Sequence, residues 1–290
     1  MLFRSDVVLR PGVGVDCGAV AFGEQLCVVS TDPITVETAG AGALAMQVSI
    51  NDVASSGAEP MAALLTILAP PSANISDIST IMRDAQRVAR KENIEIIGGH
   101  TEVTDAVNRI VLSVTAMGKV AADKLVNAQG AKAGDDIVMT KFAAIEGTRI
   151  IMGDDAPFSA DMLSISKEAK IAAAFGAVAM HDITEGGILG AAWELCELCG
   201  FGAEINANAV PIHPETLRIC REKDLDPLRL ISSGSLLICH PDGAALCKSL
   251  EDDGVWGTVI GKLTGGESMI VTDGIKSPLT PPDADEIYKL

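Results

Sequence analysis

The sequence predicts an α/β protein of two domains, each a sheet with helices on one face. Three observations carry this. Short β-branched runs alternate with amphipathic helical patterns along the whole chain, the pattern of sheets covered by helices. The alternation breaks once, at "AADKLVNAQGAKAGDD" (121–136), a stretch rich in Gly, Ala and Asp that carries no period. The length of 290 residues suits one large domain or two of about 150 residues each, and 48% hydrophobic with only 3% aromatic residues implies aliphatic cores. The expected domains are 1–122 and 130–290.

In chain order, residues 18–36 read as a hairpin, with "AVAFG" and "LCVVSTDPITV" joined by the turn "GEQ". Residues 40–57 read as a helix, because Ala43, Leu44, Met46, Gln47, Ile50, Val53 and Ala54 share one face. "MAALLTILAP" reads as a buried strand. A second helix spans Ser76 to Asn93, with Asp77 early and Arg87, Arg90 and Lys91 late, as the helix dipole favours. "IEIIGG" is a short strand and "RIVLSVTAMGKV" a long one. After the break come a strand "DIVMTK", a helix over 161–175, "AVAMHDIT" as strand plus loop, and a helix over 187–199. "GAEINA" (strand), 213–223 (helix), "GSLLICH" (strand), 241–252 (helix), "WGTVIGKL" and "ESMIVT" (strands) complete the chain.

A formal net charge of −17 without basic clusters argues against nucleic-acid binding and against an anionic membrane surface. No run of 18 or more uninterrupted apolar residues predicts a membrane span. The start "MLFRSDVVLRPG" is too short and polar for a signal peptide. The expected location is therefore cytoplasmic. Seven dispersed cysteines agree with a reducing compartment. Cys196 and Cys199 form a lone C-x-x-C in an apolar helical pattern. No second pair is spaced to complete a four-ligand metal site, so small buried hydrophobes is the favoured reading and redox chemistry the residual one. Cys17 reads as a loop filler, with a nucleophile as the alternative.

Carboxylates recur at strand ends and helix mouths: Asp16 in "GVGVDCGAV", Asp32 in "STDP", Asn51 and Asp52 in "INDVASSGAEP", and Glu102 in "IIGGHTEVTD". Asp52 lies among apolar helix neighbours. An ionised carboxylate is costly there unless hydrogen-bonded, paired or bound to a cation. Asp32 before a proline is a turn former or a ligand. Gly98 and Gly99 let the backbone approach something closely, and His100, Thr101 and Glu102 follow at once. In "HDITEGG", Asp182 or Thr184 can cap the helix after Gly186 and Gly187. Capping explains only one of the polar residues Asp182, Thr184 and Glu185. A glycine-bearing helix mouth also cradles phosphate, but flanking carboxylates repel it unless divalent cations lie between them. Mg²⁺ favours one or two carboxylates, several waters and phosphate oxygens. With no G-x-x-x-x-G-K-[ST] in the chain, the residues point to nucleotide held through magnesium.

Taken in order, "GVDCGAV", "STDP", "INDVASSGAEP", "GGHTEV" and "HDITEGGI" resemble the aminoimidazole-ribonucleotide (AIR) synthase superfamily, which includes the HypE-type hydrogenase-maturation dehydratase, thiamine-monophosphate kinase and selenophosphate synthetase. "PETLRICREKDLDPLRLISSGSLLI" is similar to its AIR synthase-related, hydrogenase maturation factor-like branch. The resemblance implies a two-domain PurM-like fold. Its N-terminal domain pairs with a second copy into a dimeric β-barrel, and its C-terminal domain is an α/β sandwich. It implies ATP and Mg²⁺ as cofactors, with Asp16, Asp32, Asp52 and Glu102 on the metal. Asn51, Gly98, Gly99, His100, Thr101, Lys141, Asp182, Thr184, Glu185, Gly186 and Gly187 fall on its nucleotide-binding positions. The implied chemistry is ATP-dependent phosphorylation of an amide or carboxyl-type oxygen on an unidentified small-molecule or peptide substrate. The alternative is a non-catalytic nucleotide-binding partner in cofactor maturation, such as that of hydrogenase. This sequence departs from the pattern in three places: no cysteine follows Cys247, Val15 precedes Asp16 where several relatives have two acids, and His100 stands where many have an acid.

Overall fold

The computed structural model describes residues 4–35 and 40–290. The chain divides into two units, one holding residues up to Pro11 and Asp16–Leu125, the other Gly12–Val15 and Val126–Leu290.

The first unit contains strands β1 (Val7–Leu9), β2 (Gly18–Phe22), β3 (Gln25–Ile34), β4 (Glu59–Ala69), β5 (Glu95–Val103) and β6 (Val111–Ala121), and helices α1 (Ala41–Ser55) and α2 (Ile75–Lys91). Its sheet runs β1-β2-β3-β6-β4-β5, with β4 and β5 the parallel pair. Strand alternation sorts the side chains. Leu26, Val28 and Ser30 on β3, Leu112, Val114 and Ala116 on β6, and Ala63, Leu65 and Ile67 on β4 are buried on the helix side. The opposite face carries Thr31, Leu64, Thr66 and Thr115 and is largely open; there Thr115 Oγ1 donates to Thr31 Oγ1 at 2.9 Å. Among the described residues this sheet is not closed on itself, and β1 and β5 are its edges.

Helix α1 is small and apolar on nearly every side, and it lies buried between the sheet and α2. A Cβ on Gly42 would stand 2.2 Å from the Ile81 carbonyl oxygen, so glycine sets how closely α1 and α2 approach. Helix α2 is amphipathic. The Asn74 side chain meets the Asp77 backbone while the Asp77 side chain accepts from Asn74 N, a capping box, and Ile81, Ala85, Val88 and Ala89 face inward.

The hairpin expected over 18–36 is β2–β3, and its last residue falls outside the described residues. One expectation is corrected. "IEIIGG" was to end at Gly99, leaving a polar loop, yet β5 continues to Val103. The parallel partner β4 supplies backbone hydrogen bonds as far as the Ala69–Val103 pair, which outweighs the weak strand propensity of glycine. Gly99 has φ +147, and a Cβ there would sit 1.9 Å from the Leu65 carbonyl oxygen. The close approach it permits is to β4.

The second unit adds strands β7 (Asp136–Thr140), β8 (Ala179–Asp182), β9 (Gly202–Asn206), β10 (Leu236–His240), β11 (Gly257–Thr264), β12 (Met269–Thr272) and β13 (Ile275–Pro278). Its helices are α3 (Ile145–Met152), α4 (Ser166–Phe175), α5 (Gly187–Cys199), α6 (Pro214–Lys223) and α7 (Gly243–Asp252). The sheet order is β13-β12-β9-β11-β7-β10-β8, with β9 and β12 parallel. The helix expected over 161–175 is shorter: a 3-10 turn covers Ala160–Leu163 and α4 starts at Ser166. Helix α3 was not expected. Its first half (Ile145, Glu146, Gly147, Thr148) is buried whatever the residue type, so no amphipathic period marks it. No helix among the described residues is long and apolar enough to cross a membrane.

The contact at Gly42 makes a prediction. Gly42→Ala forces α1 and α2 apart and should destabilise the protein by about 1–3 kcal/mol, seen as a melting temperature several degrees lower. An unchanged Tm would mean the two helices separate at no cost.

Candidate functional site

In the first unit the site forms where α1, β3 and the segment before β2 meet. Asp52 lies on α1 at 6% exposure. Its Oδ2 is 2.6 Å from the Ser30 hydroxyl, which is also 2.9 Å from the Asp16 carbonyl oxygen. One hydroxyl hydrogen is thus shared between two acceptors from different segments. Asn51 is fully buried beside Asp52, and its Oδ1 accepts from Gln47 Nε2 at 3.0 Å. Asp32 is two residues beyond Ser30 on β3 and therefore on the same face. Its Oδ2 is buried and has no hydrogen-bond partner among the described residues. The half-buried Asp16 completes the group through its backbone position.

Such an arrangement suits a hard divalent cation. A buried carboxylate oxygen left without a donor is expensive, and Mg²⁺ prefers oxygen ligands of this kind. The residues present therefore fit a metal ion carrying phosphate oxygens.

The β5 residues are placed elsewhere. His100 pairs with Thr66 and Glu102 with Leu68, so both project from the open face, with His100 Nε2 and Glu102 Oε2 3.8 Å apart and exposed. Two strands lie between β5 and β3, a separation of about 14 Å at a strand spacing of ~4.8 Å. Within one chain the sheet keeps Glu102 and His100 away from Asp32 and Asp52. Thr101 pairs with Ile67 and shares the helix-side face, while Gly98 pairs with Leu64.

In the second unit β8 ends in His181 and Asp182, both buried. His181 Nε2 is 3.3 Å from Glu194 Oε2 on α5, and His181 Nδ1 is 3.9 Å from Asp182 Oδ1. Sequence reasoning missed Glu194, which follows the motif by two helical turns inside an apolar pattern. Capping by Asp182 or Thr184 is not what the structure shows. The N-cap of α5 is Gly186, in the left-handed region, and Gly186 N donates to Asp285 Oδ2 at 2.7 Å. Asp285 Oδ1 also accepts from Ile231 N at 3.2 Å and Ile287 N at 2.8 Å. Tyr288 Oη donates to Glu185 Oε1 at 2.9 Å. A carboxylate 99 residues away thus satisfies the helix mouth, and nothing local could have announced it. Gly187 is demanded by packing: a Cβ would lie 2.7 Å from the Leu228 carbonyl oxygen. Thr184 contributes its carbonyl, which accepts from Gly187 N and Ser232 N, both at 3.2 Å. Lys141, at the end of β7, is held by Glu168 at 2.6 Å and donates to the Ser164 and Met162 carbonyls at 2.6 and 3.0 Å.

Glu146 of α3 was also missed. It is 5% exposed, and its Oε2 has no hydrogen-bond partner among the described residues. Burial pushes its carboxyl pKa up, ahead of hydrogen bonds from Ser233 that oppose the shift, and the Asp285 and Glu185 charges add to it. The Asp285 pKa is raised as well, first by burial and against its three backbone donors.

The two α/β units and their sheet orders define the class: this is the PurM-like fold. The crystal structure of E. coli HypE, a hydrogenase maturation protein, superposes with a TM-score of 0.81 at 23% identity, covering 90% of this chain and 88% of that one. The structure of HypE in complex with ATP gives 0.80 at 20% identity, covering 90% and 86%. Residues 14–120 match "AIR synthase related protein, N-terminal domain" and 154–274 match its C-terminal domain. The chain belongs to the AIR synthase related protein family. It is 27% identical over 243 residues to a Methanocaldococcus jannaschii protein named for hydrogenase expression/formation, covering 78% of this chain and 72% of that one. It is 24% identical over 282 residues to the carbamoyl dehydratase HypE of Cupriavidus necator, covering 92% and 78%.

Glu146 supplies a test of the electrostatics. A carboxyl with a raised folded-state pKa stabilises the fold below its unfolded value, and that contribution is lost as pH rises through the folded value. Glu146→Gln stays neutral and escapes the loss. The Tm of the variant relative to wild type should therefore climb as pH rises above the ordinary glutamate range and through the raised folded-state value. A constant difference would show that Glu146 ionises normally.

Proposed function

We propose that the protein is an ATP-dependent enzyme of this family that binds magnesium-nucleotide through Asp16, Asp32 and Asp52 and phosphorylates an amide or carboxyl-type oxygen of a small-molecule or peptide substrate. The observation that carries this is the buried Ser30–Asp52 hydrogen bond together with Asp32 Oδ2 on the same face of β3, buried and with no hydrogen-bond partner among the described residues. The HypE structure with ATP and the relative named carbamoyl dehydratase support a nucleotide-dependent reaction.

The chain's own residues would divide the work. Ser30 orients Asp52 and ties it to the segment carrying Asp16, so the donors are held before the ligand arrives. Bound Mg²⁺ would draw charge off the phosphates and hold them in line. Asn51, locked by Gln47, keeps this turn of α1 in register. The glycine mouth of α5 already has Asp285 on Gly186 N, so this reading assigns the metal-bridged phosphates to the acids of the first unit. Asp182, Thr184, Glu185 and Gly187 are left to shape the loop, and Lys141 to support it through Glu168.

A homodimer belongs to the same proposal. The open face of the first sheet exposes Leu64, its bulges expose Met61 and Ile97, and its edges leave backbone groups for pairing. A second copy covering that face would complete a β-barrel and give His100, Glu102 and the Gly98–Gly99 backbone a partner surface.

Two experiments test the proposal. Thermal unfolding should shift upward by several degrees with ATP and Mg²⁺ together, and little with either alone; ligand at about 100 times its Kd adds about 2.7 kcal/mol. Asp52→Asn keeps an acceptor for Ser30, so it should fold normally and lose most of that shift. An equal shift in the variant would remove Asp52 from the site. Steady phosphate release with ATP distinguishes an enzyme from a non-catalytic nucleotide-binding partner, the reading that Val15 in place of a second acid favours. Sedimentation at micromolar concentration should give a dimer, and a monomer there would refute the barrel.

A further inference from the structure

Aromatic residues are scarce in this chain, with six Phe, two Trp and one Tyr in 290 residues. Three of them meet in the second unit. Phe142, just past the end of β7, has its ring centroid 5.9 Å from that of Phe158, 5.9 Å from that of His213 and 6.2 Å from that of Trp256. Phe158 and His213 are 5.2 Å apart. Phe158 is buried, whereas Trp256 is 63% exposed. The backbone that presents Phe142 is in an uncommon conformation. Lys141 and Ala144 have φ +54 and +57, a left-handed region that is costly for residues other than glycine. Three hydrogen bonds pin the segment: Ala143 N donates to the Pro211 carbonyl at 2.9 Å, Ala144 N to Ser232 Oγ at 2.7 Å, and Ser235 Oγ to the Phe142 carbonyl at 2.6 Å. Trp256 is fixed as well. Its carbonyl accepts from Lys141 N at 2.9 Å, its indole N–H donates to Thr258 Oγ1 at 3.1 Å, and Phe142 flanks its ring at an interplanar angle of 46°. A rigid indole is thus held out to solvent on an aromatic base.

The charge beside it has one sign. Helix α7 ends in Glu251 and Asp252, Asp253 is its C-cap, and its last turn has no basic residue. A turn closed by Gly254 N on the Glu251 carbonyl at 2.8 Å and Val255 N on the Leu250 carbonyl at 2.9 Å leads straight to Trp256. All three acids are exposed, and none of their carboxylates has a hydrogen-bond or ion-pair partner among the described residues. Lys167 reaches only the Asp253 carbonyl. Negative charge at the C-terminal end of a helix opposes its dipole, so this arrangement lowers stability and raises the attraction for a cation. An indole face beside carboxylates suits a guanidinium in particular. The ring takes its flat face and the carboxylates take its N–H groups.

We propose that Trp256 with Glu251, Asp252 and Asp253 is a docking site for an arginine carried on a basic segment of a partner protein. The ring stands on an open surface and the acids are spread over a helix end, so a basic segment engages both together where one small cation meets only part. The net charge of −17 draws such a segment in. The fixed indole loses little freedom on binding. The site lies within the second unit and needs neither nucleotide nor substrate.

The test uses the full chain with N-acetyl tetra-arginine amide as the probe, titrated in a calorimeter at about 0.15 M salt. Wild type should bind it more tightly than tetra-lysine. Trp256→Ala should weaken tetra-arginine binding about three- to fivefold, the size of an exposed cation–π contact, and Trp256→Phe should regain part of that. Asp252→Asn together with Asp253→Asn should weaken binding and flatten its salt dependence. Glu24→Gln together with Asp105→Asn makes the same change of charge at exposed positions of the first unit and should leave binding unchanged. All these positions are exposed, so each variant should keep the wild-type Tm. No binding of the probe, equal affinity in Trp256→Ala, or an equal loss in the Glu24 and Asp105 control would overturn the proposal. Free arginine binding as tightly as the peptide would overturn the partner segment in favour of a small cation.

Discussion

The first unit is organised around a carboxylate in the wrong place. Asp52 lies on a helix that is apolar on nearly every side, under a sheet, where an unpartnered charge would cost several kcal/mol. The Ser30 hydroxyl offsets part of that cost and reaches the Asp16 carbonyl from the same oxygen. This hydroxyl ties β3, α1 and the segment before β2 together, and it brings Asp32 to the same face one strand repeat later. A protein gains nothing in stability from carboxylates gathered this way. Their value lies in what they can bind, which is why the pocket of oxygens carries the functional reading.

The second unit solves a different problem. The backbone N–H groups at the mouth of α5 require an acceptor, and Asp285 supplies it while also accepting from Ile231 and Ile287. Burial, with the Glu185 charge adding to it, makes that carboxylate harder to ionise. In "HDITEGG" the Thr184 carbonyl and the two glycines build the loop, and Glu185 accepts from Tyr288. Gly186 gives the left-handed turn and Gly187 the room for the Leu228 carbonyl. His181 takes a carboxylate from α5. This is a common division in a glycine motif: the conformational demands on the backbone are met first, and the side chains left over are candidates for chemistry.

Periodicity alone carried the long elements. In α2 the apolar stripe and the charges at both ends coincide, and in β6 strict alternation marks one buried face, so local pattern and tertiary environment agree. It failed where burial is not amphipathic. Helix α3 is buried at Glu146 and Thr148 as well as at Ile145, and β5 is carried past its glycines by hydrogen bonds to β4 that no local signal records. The acids themselves were visible as residue types set in unlikely surroundings, and their family order gave a metal reading. The sequence by itself determined the aliphatic cores, the acidic character and the alternation of strand and helix, because each depends on composition or on spacing within a dozen residues. Only the tertiary structure decided which acids meet. It set Asp32 on the face of β3 that carries Ser30, turned His100 and Glu102 to the other face of the sheet, and brought Asp285 to Gly186. Those outcomes depend on strand register and chain crossings between segments tens of residues apart, and contacts of that range leave no periodic trace in a single sequence.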